Sequence, residues 1–316
     1  MKAAALQAIL YGARDLRLEE RPLGTLGANE VYVETEVTAL STGTDLGNYL
    51  GRSTEVPGAP DYPRGVGYSN VGVVREVGEQ VTAVKPGTRV FTMKPHVAAF
   101  RAQPTDLMVE VPAGVAPEPA SLAYLAQLGV AALQQVRFEP GERVAVVGLG
   151  VIGLCTCALA RAMGASEVIA VANSPLREQM ALAAGAHRAE KLPKDVDVVI
   201  LTANPWAAFR DSVEMVRYGG RVSVLGFPGR GEPLPDFNPL DPKWFYGKQL
   251  TLAAAGFAAP EQRKRNLEFI LGSLASGVVS FDSIISHRLP AARMREAYEL
   301  AREHDKSLVA AVFDWR

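Results

Sequence analysis

One stretch constrains the fold more than any other: Arg143-Val144-Ala145-Val146-Val147-Gly148-Leu149-Gly150-Val151-Ile152-Gly153, followed by an apolar run to Gly164. A β-branched segment enters Gly148, and a helical pattern starts at the end of the glycine spacing without a break. The spacing has a mechanical reason. The first glycine allows a tight turn, the second lets the backbone approach a pyrophosphate, and the third lets helix and strand pack closely. Amide N–H groups at the start of the helix then face the phosphates, where the helix dipole favours negative charge. A second strand pattern, Glu167 to Val171, closes the unit. The expectation is a dinucleotide site formed by Gly148, Gly150, Val151, Ile152 and Gly153.

The rest of the chain frames this unit. Residues 1–119 read as mostly β, with runs such as Val31–Val37, Val71–Val77 and Arg89–Thr92 between Gly and Pro punctuation. A helix-like segment follows from Pro119 to Val136. Strands and helices then alternate, with Val196–Leu201, Arg221–Leu225 and Leu250–Ala254 as buried parallel strands and helices around Leu176–Ala184 and Ala207–Val216. Glu261–Ser276 and Ala291–Arg302 read as helices, and Leu308–Phe313 as a last strand. At 316 residues the chain is long enough for two cores, and its 48% apolar content contains no run able to span a bilayer. A net charge of −1 gives no reason to expect a nucleic-acid or membrane partner. The two cysteines, Cys155 and Cys157, fall on different faces of one helix and cannot bridge. With no signal peptide in view, a reducing cytoplasm is expected.

This order, a β-rich part followed by a Rossmann unit and a short return, resembles the medium-chain dehydrogenase/reductase superfamily. Besides the glycine motif, the phrases Gly43-Thr44-Asp45, Gly72-Val73-Val74 with Val77-Gly78, Lys85-Pro86-Gly87-Thr88-Arg89-Val90, Pro140-Gly141-Glu142-Arg143-Val144 and Gly219-Gly220-Arg221-Val222 carry the likeness. The resemblance implies an α/β protein: a doubly wound parallel sheet over residues 120–256, and a GroES-like catalytic domain over 1–119 completed by 257–316. Substrate is then expected in the cleft between the two.

Zinc-dependent members of that superfamily hold the metal with a Cys, a His and a further Cys or acid. Matching the phrases puts Thr42 where the Cys would stand, and Tyr68 and Ser69 where a His-Glu pair would follow Gly67. Neither Thr nor Tyr is a good zinc ligand at neutral pH. No cysteine precedes position 155, so the structural zinc lobe is missing as well. The expectation is a metal-free member, in which a side chain or water must handle the proton. Tyr68 is the first candidate, with filling of the vacated metal pocket as the equal alternative. Thr44 matches a proton-relaying position or satisfies a turn. Thr42 contacts substrate or replaces the cysteine's volume, and Asp45 is a base or a helix cap. His96 and Lys94 lie in the loop after Arg89–Thr92, where relatives contact substrate; a lone His there is alternatively solvated or structurally hydrogen-bonded. Tyr124 is expected near the substrate or in the core. The Leu40-Ser41-Thr42-Gly43-Thr44 phrase also resembles the bacteriochlorophyllide dehydrogenase-like branch, which oxidises secondary alcohols.

Cofactor choice is read about twenty residues past the glycines, where NAD-preferring folds place an acid on the ribose. That position is Ala172 here. Asn173 and Ser174 follow as neutral donors, and Arg177 as a charge for a 2′-phosphate or a plate for adenine. Phe227, past the strand Arg221–Leu225, is added as a further cofactor contact. NADP(H) is favoured over NAD(H). The leading expectation is hydride transfer between nicotinamide and a ketone or secondary alcohol, with a small-molecule substrate and a homodimer paired through the strand near Leu250–Ala254. Enoyl or quinone reduction, and a non-catalytic nucleotide-binding protein, are the alternatives.

Overall fold

A computed structural model describes residues 2–52, 61–103, 105–172, 174–189, 191–256 and 258–316. It divides into two compact units, one of Met1–Tyr124, Leu267–Ala275 and Ile285–Arg316, the other of Leu125–Asn266 and Ser276–Ile284. The first unit therefore ends at Tyr124 rather than near residue 119. Its return begins at Leu267, part-way along one helix, rather than at 257. The division falls inside helices because a continuous helix gives no sequence punctuation where its packing partner changes.

The first unit opens with β1 (Ala4–Leu10), β2 (Leu16–Pro22) and β3 (Val31–Ala39), then a short helix α1 (Thr44–Tyr49). Strands β4 (Arg64–Gly65), β5 (Asn70–Val77), β6 (Arg89–Thr92), β7 (Ala99–Ala102) and β8 (Met108–Glu110) follow, with helix α2 (Pro117–Ser121). β3 is the spine. Its β-branched residues Val31, Val33 and Val37 are buried, and it pairs antiparallel with β5 and β7. β2, β1 and β4 form a separate three-stranded sheet.

The second unit takes most of α3 (Ala123–Gln135) and then β9 (Arg143–Val147), α4 (Val151–Ala162), β10 (Glu167–Val171), α5 (Pro175–Ala183) and β11 (His187–Arg188). It continues with β12 (Val196–Leu201), α6 (Trp206–Met215), β13 (Val216–Val224) and β14 (Thr251–Ala254). The six strands run parallel in the order β11-β10-β9-β12-β13-β14, the doubly wound arrangement expected from the glycine unit. β9 lies between β10 and β12, and Val144–Val147 are buried, as a strand covered on both faces requires. β13 starts at Val216, earlier than the expected Arg221, because it leaves α6 without an intervening loop. Lys248 closes that helix end, donating from Nζ to the carbonyls of Val213 (3.2 Å), Glu214 (2.7 Å) and Val216 (2.8 Å).

Helix α7 (Pro260–Ala275) passes from the second unit to the first. β15 (Ile285–Pro290), a 3₁₀ turn at Ala291–Arg293, α8 (Met294–Arg302) and β16 (Ala310–Asp314) complete the chain. β16 pairs antiparallel with β3, so the last strand enters the sheet built by the first hundred residues. α8 buries Met294, Ala297, Tyr298 and Ala301 in a core with Leu40, Tyr49 and Phe313. Among the described residues, no helix is long and apolar enough to cross a membrane.

Candidate functional site

In the second unit, the glycine turn has the geometry that its spacing calls for. Gly148 takes φ +97°, and a Cβ there would stand 2.7 Å from the Ala203 nitrogen. A Cβ on Gly153 would overlap the Gly148 carbonyl, so only glycine permits this approach of helix to strand. Gly150 faces open space, with nothing within 4 Å of the Cβ position. It is also the N-cap of α4 and, among the described residues, no side-chain cap bond closes that helix start. Thr202 pins the turn by donating from Oγ1 to the Gly148 carbonyl at 2.7 Å. Bare amides at a helix start beside a glycine with room over it fit a pyrophosphate. The residues present therefore suit a dinucleotide, with Val151 and Ile152 opening α4. Ala172 follows β10 and Ser174 stands at the N-cap of α5, whose first turn carries Arg177. Asn173 lies outside the described residues. Phe227 is half-exposed on the loop after β13, its amide on Asn204 Oδ1 at 2.9 Å and Arg230 4.0 Å above its ring.

In the first unit a second constellation gathers around α1. Tyr68 donates from its hydroxyl to Ser41 Oγ at 2.5 Å and also bonds the Thr44 side chain. Tyr124 meets the Tyr68 ring edge-on at 5.2 Å. Asp45 lies beneath, fully buried. Its Oδ2 accepts the Ser41 amide at 2.9 Å and its Oδ1 the Gly67 amide at 3.1 Å. Asp45 thus does not cap its own helix; it joins the turn before α1 to the loop that carries Tyr68. Burial raises its carboxyl to about 6, and the two amide bonds limit the rise. Burial, and then the nearby Asp45 charge, push the Tyr68 phenol above its usual range. Tyr68 therefore stays neutral, a hydrogen-bond donor to an oxygen rather than a phenolate.

Tyr68, Thr44, Asp45 and Tyr124 come together, with Thr42 half-buried beside Ser41. Ser41 is the member that sequence reasoning passed over as a site residue. Its only signal was its place in the Ser-Thr-Gly-Thr phrase. Lys94 stands apart, paired with Asp106 at 3.1 Å. His96 takes the structural alternative: although in a loop, it has no exposed surface. Its Nδ1 meets Thr38 Oγ1 at 2.8 Å, its ring packs edge-on to Phe313 at 5.1 Å, and Gly67 (φ +85°) lies against it. A Cβ on Gly67 would come within 2.6 Å of that ring. Burial lowers His96 to about 3, so it is neutral and shaped for packing.

The donor set does not suit a zinc ion. The positions matched to metal ligands carry the hydroxyls of Thr42, Tyr68 and Ser69, and Ser69 Oγ is committed to the Ser121 carbonyl at 2.5 Å. No group of three His, Cys, Asp or Glu that could hold a metal occurs among the described residues. Cys155 and Cys157 are buried within α4, and burial pushes both thiols far up.

Comparison with known proteins follows the same division. Residues 27–115 match the alcohol dehydrogenase GroES-like domain, and residues 151–271 match the zinc-binding dehydrogenase family, about two thirds of the chain together. The chain belongs to the medium-chain dehydrogenase/reductase superfamily. It is thereby an NAD(P)-dependent dehydrogenase with a GroES-like β domain and a Rossmann-like sheet. It is similar to the sorbitol dehydrogenase of Bacillus subtilis, 23% identical over 95% of this chain and 93% of that one. It is also similar to the L-threonine 3-dehydrogenase of Bacillus licheniformis, 27% identical over 89% and 91%. Among solved structures, galactitol-1-phosphate dehydrogenase from Escherichia coli aligns with a TM-score of 0.84 at 17% identity, covering 98% of this chain and 99% of that one. Identity that low speaks for the fold alone.

Proposed function

We propose that the protein is a zinc-independent, NADP(H)-preferring oxidoreductase that interconverts a ketone and a secondary alcohol, with Tyr68 handling the substrate oxygen. The observation that carries this reading is the Tyr68 hydroxyl bonded to Ser41 at a position matched to a metal ligand. A neutral phenol there takes over the task of polarising a carbonyl by hydrogen bonding. Nicotinamide supplies or accepts the hydride when bound. Ser41 and Thr44 orient the Tyr68 hydroxyl, Asp45 holds both loops, and Tyr124 supports the ring. Thr42 borders the substrate. The preference for NADP(H) rests on Ala172 in place of an acid, with Ser174 and Arg177 following. The relatives named above are dehydrogenases, in keeping with alcohol and carbonyl chemistry.

The test is turnover of a panel of ketones, secondary alcohols and enones with each cofactor, on protein made without a metal-binding tag and analysed for zinc. Ketone reduction with NADPH, undiminished by chelators and without stoichiometric zinc, supports the reading. One zinc per chain lost together with activity overturns it, and reduction of enones alone moves the chemistry to the C=C bond.

A further inference from the structure

Against the Val66-Gly67-Tyr68 stretch lies a buried histidine that the proposed chemistry leaves unused. His96 grips that stretch through its backbone, its amide donating to the Val66 carbonyl at 2.8 Å. Two further bonds fix the chain around it. The Ala8 amide donates to the His96 carbonyl at 2.9 Å, and the buried Asn70 side chain donates from Nδ2 to the Pro95 carbonyl at 3.1 Å. The imidazole then forms the surface on which Gly67 rests. Gly67 has φ +85°, and a Cβ there would stand within 2.7 Å of three ring atoms, so the ring occupies the space of any side chain at that position. Gly67 gives its amide to Asp45 Oδ1 at 3.1 Å, and the next residue is Tyr68.

A flat apolar ring would fill the same space, so the imidazole needs a further reason. That reason lies at Nδ1, 2.8 Å from Thr38 Oγ1 on β3. The same oxygen accepts the Trp315 indole N–H at 3.0 Å. An indole can only donate, so it takes one lone pair of Oγ1 and leaves the Thr38 hydrogen for Nδ1. The ring proton then sits on Nε2, which meets no hydrogen-bond partner among the described residues. The rotation of the ring is thus set by one hydrogen bond, with Phe313 packed edge-on to it.

We infer that His96 is a positioning residue for Tyr68: Trp315 and Thr38 fix the imidazole, and the imidazole fixes Gly67. This rests on the reading of Tyr68 as the group that meets the substrate oxygen. With no exposed surface, His96 reaches no substrate and acts only through the backbone before Tyr68. A shift of Gly67 would loosen its bond to Asp45 and carry the phenol away from Ser41 and from the oxygen that it polarises. Misplacement on the ångström scale costs rate far more than binding.

Thr38→Val keeps the shape of the side chain and removes Oγ1; Thr38→Ser keeps the hydroxyl. Both are measured in the full protein for kcat, KM and Tm, with kinetics at a temperature where circular dichroism shows each fully folded. The expected result is a fall in kcat of about tenfold in Thr38→Val with KM unchanged, and recovery to within about twofold of wild type in Thr38→Ser. A merely structural role would lower Tm and leave kcat as in the wild type. That result, in an enzyme that Tyr68→Phe disables, overturns the inference. Should Thr38→Val not fold, Trp315→Phe takes its place, removing the indole donor at a half-buried position. A fall in kcat of about threefold is then expected, and an unchanged kcat overturns the inference. If Tyr68→Phe leaves turnover intact, it is the reading of Tyr68 that fails, and a measurement without turnover decides the positioning. Hydrogen exchange of the Gly67 amide is followed by NMR in the cofactor-free protein, with the β3–β5 ladder as internal reference. Thr38→Val is expected to speed it about tenfold relative to that ladder, and Thr38→Ser to restore it. A Gly67 amide that moves only with the ladder overturns the positioning.

Discussion

Replacing Asp45 by Asn tests the claim that a buried carboxylate, ionising near pH 6, ties the turn before α1 to the Tyr68 loop. The group has no exposed surface, and burial lifts its pKa from 3.8 to about 6. Between these values the folded protein retains a proton that the unfolded chain has released. The wild type is thus favoured by this group below pH 4 and loses that advantage as pH rises through 6. At about 1.4 kcal/mol per unit, a shift of about two units makes the change about 3 kcal/mol. Asparagine does not titrate. It can accept one of the two amides from Ser41 and Gly67, but its own NH₂ group confronts the other, a loss of about 1.5–3 kcal/mol for a hydrogen bond to a charged group. The stability of wild type minus variant should therefore fall by about 3 kcal/mol between pH 4 and pH 7.5, leaving the two similar at the upper end. Urea unfolding followed by fluorescence and circular dichroism reads this. Trp315 reports on the first unit, its indole donating to Thr38 at 3.0 Å, while Trp206 and Trp244 belong to the second. A difference that is constant over this range, or that grows with pH, would refute the argument.

Tyr68→Phe should reduce kcat about a hundredfold or more while the far-ultraviolet spectrum and cofactor affinity stay unchanged; equal kcat would remove Tyr68 from the chemistry. Gly153→Ala drives a methyl into the Gly148 carbonyl, so nucleotide binding by calorimetry should vanish and stability drop by about 1–3 kcal/mol. Ala172→Asp should weaken NADPH binding far more than NADH binding, because a carboxylate repels a 2′-phosphate and accepts from a ribose hydroxyl. β14 is a half-exposed edge strand, and pairing with its twin should give a dimer; a monomer at micromolar concentration in sedimentation would contradict this.

Local signals carried most of the fold. The strands expected at Arg89–Thr92 and Val196–Leu201 appear with those bounds, and the glycine unit yields the doubly wound sheet around it. Those features depend on neighbours in sequence: β-branched runs, and glycines where a Cβ would collide. The site was legible in residue type more than in arrangement. Tyr68 and Thr44 were visible as hydroxyls matched to functional positions, but the Ser41 partner lies 27 residues from Tyr68 along the chain. Asp45 looked like a cap because an Asp near a helix start usually is one. Its second amide comes from Gly67, which no local pattern announces. His96, open in sequence between a substrate contact and a solvated or structurally hydrogen-bonded side chain, was likewise decided by distant neighbours. A histidine in a loop reads as accessible, and only the packing of Phe313 and Gly67 against its ring shows that this loop is folded into the core.

Under the proposed function, the hydroxyl cluster also has to answer a mechanical question that a metal would answer in a zinc-dependent enzyme: what holds the turn before α1 against the loop after β4. A metal with ligands from both segments would do so directly. Here two sets of hydrogen bonds cross the same gap. The Asp45 carboxylate receives an amide from each side, and the Tyr68 and Ser41 hydroxyls meet above it. The links differ in their dependence on conditions. A metal clamp responds to chelators and to the protonation of its ligands. A carboxylate clamp responds to pH alone, and this one changes state near 6. The hydroxyls of Ser41 and Tyr68 and the Asp45 carboxylate therefore make one arrangement. Under the proposed function, turnover should be indifferent to chelators and fall as pH drops through about 6, because a protonated Asp45 no longer bonds both amides with full strength.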